Sequence, residues 1–393
     1  MSAMLGHVQH LAGAIGPRGT GTPGEAAAAD YVVGCLADLG LPVERQVFRA
    51  VTSQNAYAVA IDLVMLLAVA IYPLGGSFAR WLAAGLGFAA PLLLWQTIRT
   101  STNPLRFLMP QVNSRSVIGR VPPAADIRRR VVLLAHLDTN RCRLAWQSSM
   151  ARKLEAFTWL TLGMLSLPGL LYLAGAILGG PGWLWLISLL PAAYISATLA
   201  FLWKDERTPF SPGAHDNAAS VAVALEAGRL LAAAPLANTE VWLAFTGAEE
   251  TDHAGLYTLL KTYAGQLRRA AFIGLEGVGG GEIVYLTRQG LCNHYRPHPR
   301  LLALAEQTAA GHPIFQVKPG VMTIEDEVGT LRRLGYCAIG IAGRDARTGA
   351  LPYWHRPDDT PDKILPQAME RAAGFLLALL RELDKEEALC ESS

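Results

Sequence analysis

Two hydrophobic patterns alternate along the chain and predict two kinds of element. The first is a set of four long apolar runs, Ala56–Gly75, Trp81–Ile98, Ala156–Leu178 and Trp183–Trp203. Each has roughly 18–23 residues, the length that crosses about 30 Å of hydrocarbon as a helix. Tyr57, Tyr72, Trp81, Trp95, Trp159, Trp183, Trp185 and Trp203 gather toward their ends, as rings do at membrane interfaces. Pro91, Pro168 and Pro191 lie inside them, which membrane helices tolerate. The runs pair across short connections, so residues 55–99 and 155–204 predict two transmembrane hairpins. Buried core helices of a soluble protein are the competing reading, and the paired arrangement weighs against it. Asp62 falls early in the first run. It reads either as an intramembrane functional group or as a carboxylate hydrated near the interface.

The second pattern is an alternation of short apolar stretches with helical periodicity. Val131–Ala135, Val241–Phe245, Ala271–Leu275, Ile283–Thr287 and Ala338–Ala342 suit buried, mostly parallel strands. Gly24–Leu39, Ala218–Ala233, Leu301–Ala310, Glu327–Leu334 and Leu365–Leu383 suit helices between them. The expected fold class is α/β, a mixed but mostly parallel central sheet covered by helices on both faces. Residues 1–54, 100–154 and 205–393 form this one domain, and the two hairpins are insertions into it.

Composition sharpens this picture. The chain is 51% hydrophobic and only 17% charged, and the missing charge is concentrated in the four runs. A net charge of +2 gives no reason to expect a nucleic-acid partner. The five cysteines show no CxxC pair, which argues against a disulfide framework and favours a reducing compartment. The N-terminal stretch does not read as a signal peptide, so insertion is expected from the internal runs. Lys and Arg crowd the near flanks (Arg99, Arg106, Arg115, Arg120, Arg141, Arg143, Arg152, Lys153, Lys204), whereas Arg80 is the single one in the far connections. The positive-inside rule then puts the α/β domain on the cytoplasmic side of a multi-pass protein in the inner or cytoplasmic membrane.

Polar residues of interest fall where predicted strands end, the place where working residues gather in open α/β sheets. His136 leaves the Val131–Ala135 strand with Asp138 two residues on, which suits a metal ligand and a carboxylate that fixes its tautomer. Asp216, in Gly213-Ala214-His215-Asp216-Asn217, reads either as a helix N-cap or as a carboxylate bridging two metals. Glu249 and Glu250 follow the Val241–Phe245 strand; adjacent acids there are costly unless something positive compensates them. A dication would do so, one Glu binding metal while its neighbour takes a proton from water. Glu276 ends the Ala271–Leu275 strand, and His355 lies among aromatic and acidic residues in Tyr353–Thr360. Zinc accepts this mixture of imidazole and carboxylate.

The series AHLD, GAHDN, GAEE, LEGVG and YWHRPDDTPDKI resembles the co-catalytic zinc peptidases of metallopeptidase family 28, which include aminopeptidases and glutamate carboxypeptidases. The likeness covers the N-terminal helix region to about Phe48 and the chain from Asn113 onward, except the second hairpin. It implies the zinc-peptidase (phosphorylase/hydrolase-like) fold and two zinc ions per chain. His136 and Glu276 would bind one ion, Glu250 and His355 the other, and Asp216 both. Glu249 would be the general base, and Asp138 would orient His136. Three departures stand out. Position 276 is Glu where Asp is commoner, the stretch after Glu250 (TDHAGLYTL) is longer than the usual EExGLxGS, and soluble members lack the second hairpin.

What the resemblance implies is hydrolysis of peptide or aminoacyl amide bonds, Glu249 passing a proton from water to the leaving amine. Glu276 or a nearby carboxylate would hold a substrate α-amino group. A single-zinc glutaminyl cyclase and a non-catalytic membrane scaffold on the same fold are the alternatives. Neither the substrate nor the oligomeric state is encoded in a motif. Gly16–Gly24 follows no strand and is no phosphate loop, and His215, His253 and His294 read as loop residues.

Overall fold

A computed structural model of the protein describes residues 3–144, 153–386 and Cys390. The chain divides into two compact units: Met1–Thr52, Gln111–Cys142 and Pro209–Ser393 in the first, Ser53–Pro110 and Arg143–Thr208 in the second.

The first unit is built on an eight-stranded sheet: β1 Val43–Val51, β2 Gln111–Val121, β3 Arg129–His136, β4 Thr239–Thr246, β5 Ala271–Glu276, β6 Glu282–Gln289, β7 Lys318–Met322 and β8 Cys337–Arg344. Its order is β1-β2-β4-β3-β5-β8-β6-β7. The central neighbours β4, β3, β5 and β8 run parallel, while β1–β2, β2–β4 and β6–β8 are antiparallel. The parallel strands are buried on both faces, which explains why each is a short, almost purely apolar run.

Helices cover both faces. Helices α1 (Ala3–Val8), α2 (Pro23–Asp38), α7 (Ser220–Ala233), α10 (Pro299–Gly311) and α12 (Pro366–Lys385) bury Val32, Leu36, Leu225, Leu301 and Phe375 against Leu133, Leu243 and Ile339. On the other face, α8 (Glu249–Asp252), α9 (Ala254–Thr262) and α11 (Glu327–Arg333) follow the motifs, and Leu256, Leu259, Val328 and Leu331 pack on Val132, Leu134, Trp242 and Phe272.

Strands β1, β2 and β7 were outside the sequence reading. They are edge-side strands whose polar and half-buried positions interrupt any apolar run. The cysteines also depart from expectation: Cys337, at the start of β8, forms a disulfide with Cys390, 53 residues later. No local motif announces such a pair, since only the fold brings it together. Among the described residues, Cys35, Cys142 and Cys292 are outside any disulfide.

The second unit holds α3 (Asn55–Ile71), α4 (Gly76–Thr100), α5 (Leu154–Ile177) and α6 (Gly182–Asp205). All four are long and apolar enough to cross a membrane. Their polar groups pair inward: Tyr172 Oη with Ser188 Oγ at 2.6 Å, and Trp185 Nε1 donating to Val69 O at 2.9 Å. Asp62 is buried inside this unit and accepts a 2.9 Å hydrogen bond from Thr198 Oγ1. A charged clasp joins the helix ends: Asp205 accepts from Asn55 Nδ2, Arg143 Nη1 and Leu144 N at 3.0, 3.1 and 2.7 Å.

Helices α4 and α5 meet backbone to backbone at Gly87 and Gly169, the close approach that small residues permit between membrane helices. A Cβ added at Gly169 would lie 2.9 Å from Gly87 C and 3.0 Å from Phe88 N. Gly169→Ile is therefore expected to destabilise this unit by about 1–3 kcal/mol through overpacking. Thermal unfolding in detergent, followed by far-ultraviolet circular dichroism, checks this; an unchanged midpoint would contradict it.

Candidate metal centre

The carboxyl ends of the four parallel strands converge on one buried cluster. His136 is the last residue of β3, Glu276 is the last of β5, and Glu249 and Glu250 open α8 just beyond β4. His355 lies in the loop after β8. Asp216 sits in the turn Ala214–Ala219 that precedes α7; its backbone is non-helical and its side chain caps no helix. It points instead between the two histidines.

Distances divide these groups into two sets that share Asp216. On one side His136 Nε2 lies 3.1 Å from Asp216 Oδ1 and 3.3 Å from Glu276 Oε1. On the other, His355 Nε2 lies 3.2 Å from Asp216 Oδ2 and 3.1 Å from Glu250 Oε1. Glu249 stands back, its Oε2 3.9 Å from His136 Nε2.

The tautomer of His136 makes this a donor set for a cation. Its Nδ1 lies 2.9 Å from the carbonyl oxygen of Asp138, an acceptor, so Nδ1 carries the proton. In the neutral ring Nε2 would then offer a lone pair to a cation held among the carboxylate oxygens. Asp216 Oδ1 is buried and receives no hydrogen bond. Lone pairs converging in a buried site need a positive centre among them, and the donors present fit zinc. Among the described residues, His136, Asp216 and Glu250 each offer an atom within 4.8 Å of the others.

Charge tells the same story. Burial pushes the Glu249 carboxyl up, and burial, only partly opposed by His136, raises Glu276 to about 8. Burial works against protonation of His355, yet Glu250 and Asp216 outweigh it and lift the ring to about 9. Burial likewise disfavours the Asp216 carboxylate, but His136 and His355 hold it below the ordinary range. Protons here compensate an excess of acid that a dication would compensate instead.

Supporting residues fix each group. Asp138 is placed differently from the expected orienter of His136: its carbonyl, not its carboxylate, meets the ring, and Oδ1 is 3.7 Å from Nδ1. The Asp138 carboxylate instead accepts the backbone N–H groups of Glu249 and Glu250, both at 3.1 Å, and Thr20 Oγ1 at 2.8 Å. Asn140 Nδ2 donates to Glu250 Oε2 at 2.9 Å, and Asn217 Nδ2 donates to Glu276 Oε2 at 3.3 Å. Asp359 accepts the backbone N–H groups of His215 and Asp216 and lies 2.9 Å from His215 Nδ1. His215 and His253 are thus buried side chains, not free loop residues.

Arg18 escaped the sequence reading altogether. Although it lies in the Gly-rich stretch, it is buried and donates to five carbonyls: Leu137 through Nε, Leu11, Gly16 and Pro212 through Nη1, Gly213 through Nη2. The loops bearing Asp138 and Asp216 are thereby tied to each other. Gly213 is needed at this junction: its φ is +66°, and a Cβ there would strike Thr139 and Arg18.

The same architecture recurs in solved structures. A Zn-dependent exopeptidase from Parabacteroides distasonis shares 16% identity at a TM-score of 0.57, covering 96% of this chain and 97% of that one. A glutaminyl cyclase from Bacteroides thetaiotaomicron shares 16% at 0.56, covering 96% of each. Sheet and helices therefore define an α/β fold of the zinc-exopeptidase type. Residues 203–380 match the model of peptidase family M28, the family this chain is similar to. Endoplasmic reticulum metallopeptidase 1 of Rattus norvegicus is 34% identical over 194 residues, 47% of this chain and 20% of the relative. The chain thus spans about a fifth of the length of the curated relatives it matches.

Removing the guanidinium takes a donor from five carbonyls, of which Leu11 O and Gly213 O keep the backbone bonds of Gly16 N and Ala218 N. Arg18→Met is expected to cost at least about 3 kcal/mol and to weaken metal retention, because the loops under Asp138 and Asp216 lose their common anchor. Chemical denaturation and zinc titration of the purified variant check both effects, and wild-type values in both would contradict the assignment.

Proposed function

We propose that this chain is a membrane-embedded, zinc-dependent exopeptidase of the aminopeptidase type, acting on peptide or aminoacyl amide bonds. The observation that carries this reading is the divided Asp216 carboxylate, one oxygen toward His136 and the other toward His355. It supports two ions, one held by His136, Asp216 and Glu276, the other by Asp216, Glu250 and His355. Zinc so held supplies Lewis acidity for the scissile carbonyl and acidity for water. Glu249 stands outside both sets, its Oε2 3.9 Å from His136 Nε2, and would accept a proton from the attacking water and return it to the leaving nitrogen. Its backbone N–H is fixed by Asp138 Oδ1.

Zinc content by elemental analysis, with turnover on a panel of aminoacyl amides, tests the reading. About two zinc ions per chain are expected in both wild type and Glu249→Gln, with the variant slower by about 10²–10⁴-fold. The glutaminyl cyclase relative shares the fold to the same degree as the exopeptidase, which favours one second reading. A single zinc, with a product that has lost ammonia without gaining water, would establish the cyclase. A folded chain that binds no zinc would leave a scaffold.

The helical unit supports a lipid bilayer as partner. Leu63, Phe78, Leu92, Trp183 and Leu190 are exposed on it, while its polar side chains pair inward. An outward apolar surface of this extent suits lipid and not water. Each hairpin returns the chain to the side it left, so the sheet-bearing unit belongs to one side. The Lys and Arg distribution favours the cytoplasmic side, whereas the Cys337–Cys390 disulfide favours an oxidising compartment. C-terminal fusions to a fluorescent protein and to alkaline phosphatase decide: fluorescence without phosphatase activity is expected from the charge distribution, and the reverse would follow from the disulfide.

A further inference from the structure

The general base proposed above has a support that no motif announced. His253 sits between α8 and α9 with a left-handed backbone (φ 51°), four residues beyond Glu249, and is almost fully buried. Its Nε2 lies 3.3 Å from Glu249 Oε1, and its Nδ1 lies 3.0 Å from Thr330 Oγ1. Glu249 Oε2 is the oxygen on the His136 side. The two oxygens of the base therefore face different partners.

Hydrogen-bond chemistry fixes the direction of this chain. In the ionised form that a base requires, the Glu249 carboxylate only accepts, so the nitrogen facing it then donates. In a neutral ring the other nitrogen then accepts, and the Thr330 hydroxyl is its donor. Burial favours the neutral ring, holding His253 well below the usual imidazole range at about 3.

Thr330 is itself held. It lies in α11, whose first turn is capped by Asp326, which accepts from Gly329 N at 2.9 Å and Tyr295 Oη at 2.7 Å. One turn before Thr330, Glu327 Oε2 accepts from Thr246 Oγ1 at 2.9 Å, tying α11 to the end of β4. The support thus runs from α11 through His253 to Glu249, on the side of the base away from the proposed ions.

We infer that His253 is a positioning residue: its Nε2–H grips Glu249 Oε1 and leaves Oε2 as the proton-accepting oxygen. This rests on the peptidase reading for the role of Glu249, but the tautomer and the contact do not. A structural histidine needs no particular tautomer. A positioning histidine must be the Nε2–H form and must be replaceable by another donor of similar reach.

The test uses the full-length protein in detergent, zinc-free and zinc-loaded. Imidazole ¹⁵N spectra of ¹⁵N-histidine-labelled wild type, assigned by difference from His253→Gln, are expected to show the neutral Nε2–H tautomer of His253 in the zinc-loaded state, and in the zinc-free state once raised pH has ionised Glu249. Thr330→Val should raise the share of the Nδ1–H form. In kinetics, His253→Phe should lower kcat by about 10–100-fold at unchanged zinc content and a KM within about twofold, the scale on which outer-shell partners act. His253→Gln, which restores an N–H donor, should recover most of that loss. An Nδ1–H or imidazolium form in wild type would overturn the inference. So would equal loss in the Phe and Gln variants, or a His253→Phe enzyme with wild-type kcat. Should no preparation hydrolyse any amide, the peptidase reading fails by itself, and the tautomer measurement still decides the contact.

Discussion

Arg18 is the constraint on which the proposed centre depends. Five backbone carbonyls from three stretches of chain converge on one buried guanidinium. A planar fork of N–H donors suits such a cage, the two Nη1 hydrogens being shared among three carbonyls, whereas a lysine ammonium has three donors and no plane. Burial lowers the Arg18 pKa to about 10, against the favourable fields of Asp359, Asp216 and Asp138, so the group stays charged. The same residue therefore closes the loops and places a fixed positive charge behind three of the carboxylates that shape the site.

That fixed charge does not balance the acids in front of it. Glu249 and Glu276 are both pushed toward the protonated form by burial, while His136 and His355 are pushed toward the charged form by the carboxylates around them, against the effect of burial. Each group carries or shares a proton because its neighbours cannot all be ionised together. Cations would release those protons and free Glu249 to act as a base, so ion binding, proton release and local stability become one linked equilibrium. The surrounding hydrogen bonds serve that equilibrium. Asn140 and Asn217 hold ligand oxygens without adding negative charge, and Asp359 fixes the backbone of His215 and Asp216.

What was legible in the sequence follows from where each signal lives. A strand buried on both faces reads as an apolar run, and the polar residue that ends it stands out; His136, Glu249, Glu250 and Glu276 were visible for this reason. Strands β1, β2 and β7 mix polar and apolar positions at the edges of the sheet and leave no such run. Arg18 has backbone carbonyls as partners, and any sequence supplies those, so nothing marks it. The Asp138 carbonyl and carboxylate belong to one letter, and only coordinates assign the first to His136 and the second to the α8 backbone. His253, Glu327 and Thr330 read as ordinary loop and helix residues because their meeting depends on how α8 and α11 pack on the same face of the sheet.

The two helical hairpins interrupt this unit without breaking its core, and the backbone explains how. The first leaves after β1 and returns before β2, and the register of those strands pairs Val51 with Gln111, so departure and return are neighbours. The second leaves after Cys142 and returns at Pro209. There Cys142 N donates to Pro209 O at 2.7 Å and Ser211 N to Asn140 O at 2.8 Å. An insertion whose ends are already paired adds little to the cost of closing the parent fold, which grows only slowly with the length of chain enclosed. The second junction also lies between Asp138 and Asp216 in sequence, and Arg18 bonds Leu137 O on one side of it and Pro212 O on the other. The anchor that fixes the site is thus also the bolt across the insertion, which lets a long apolar segment be added at this point while the ligand geometry is retained.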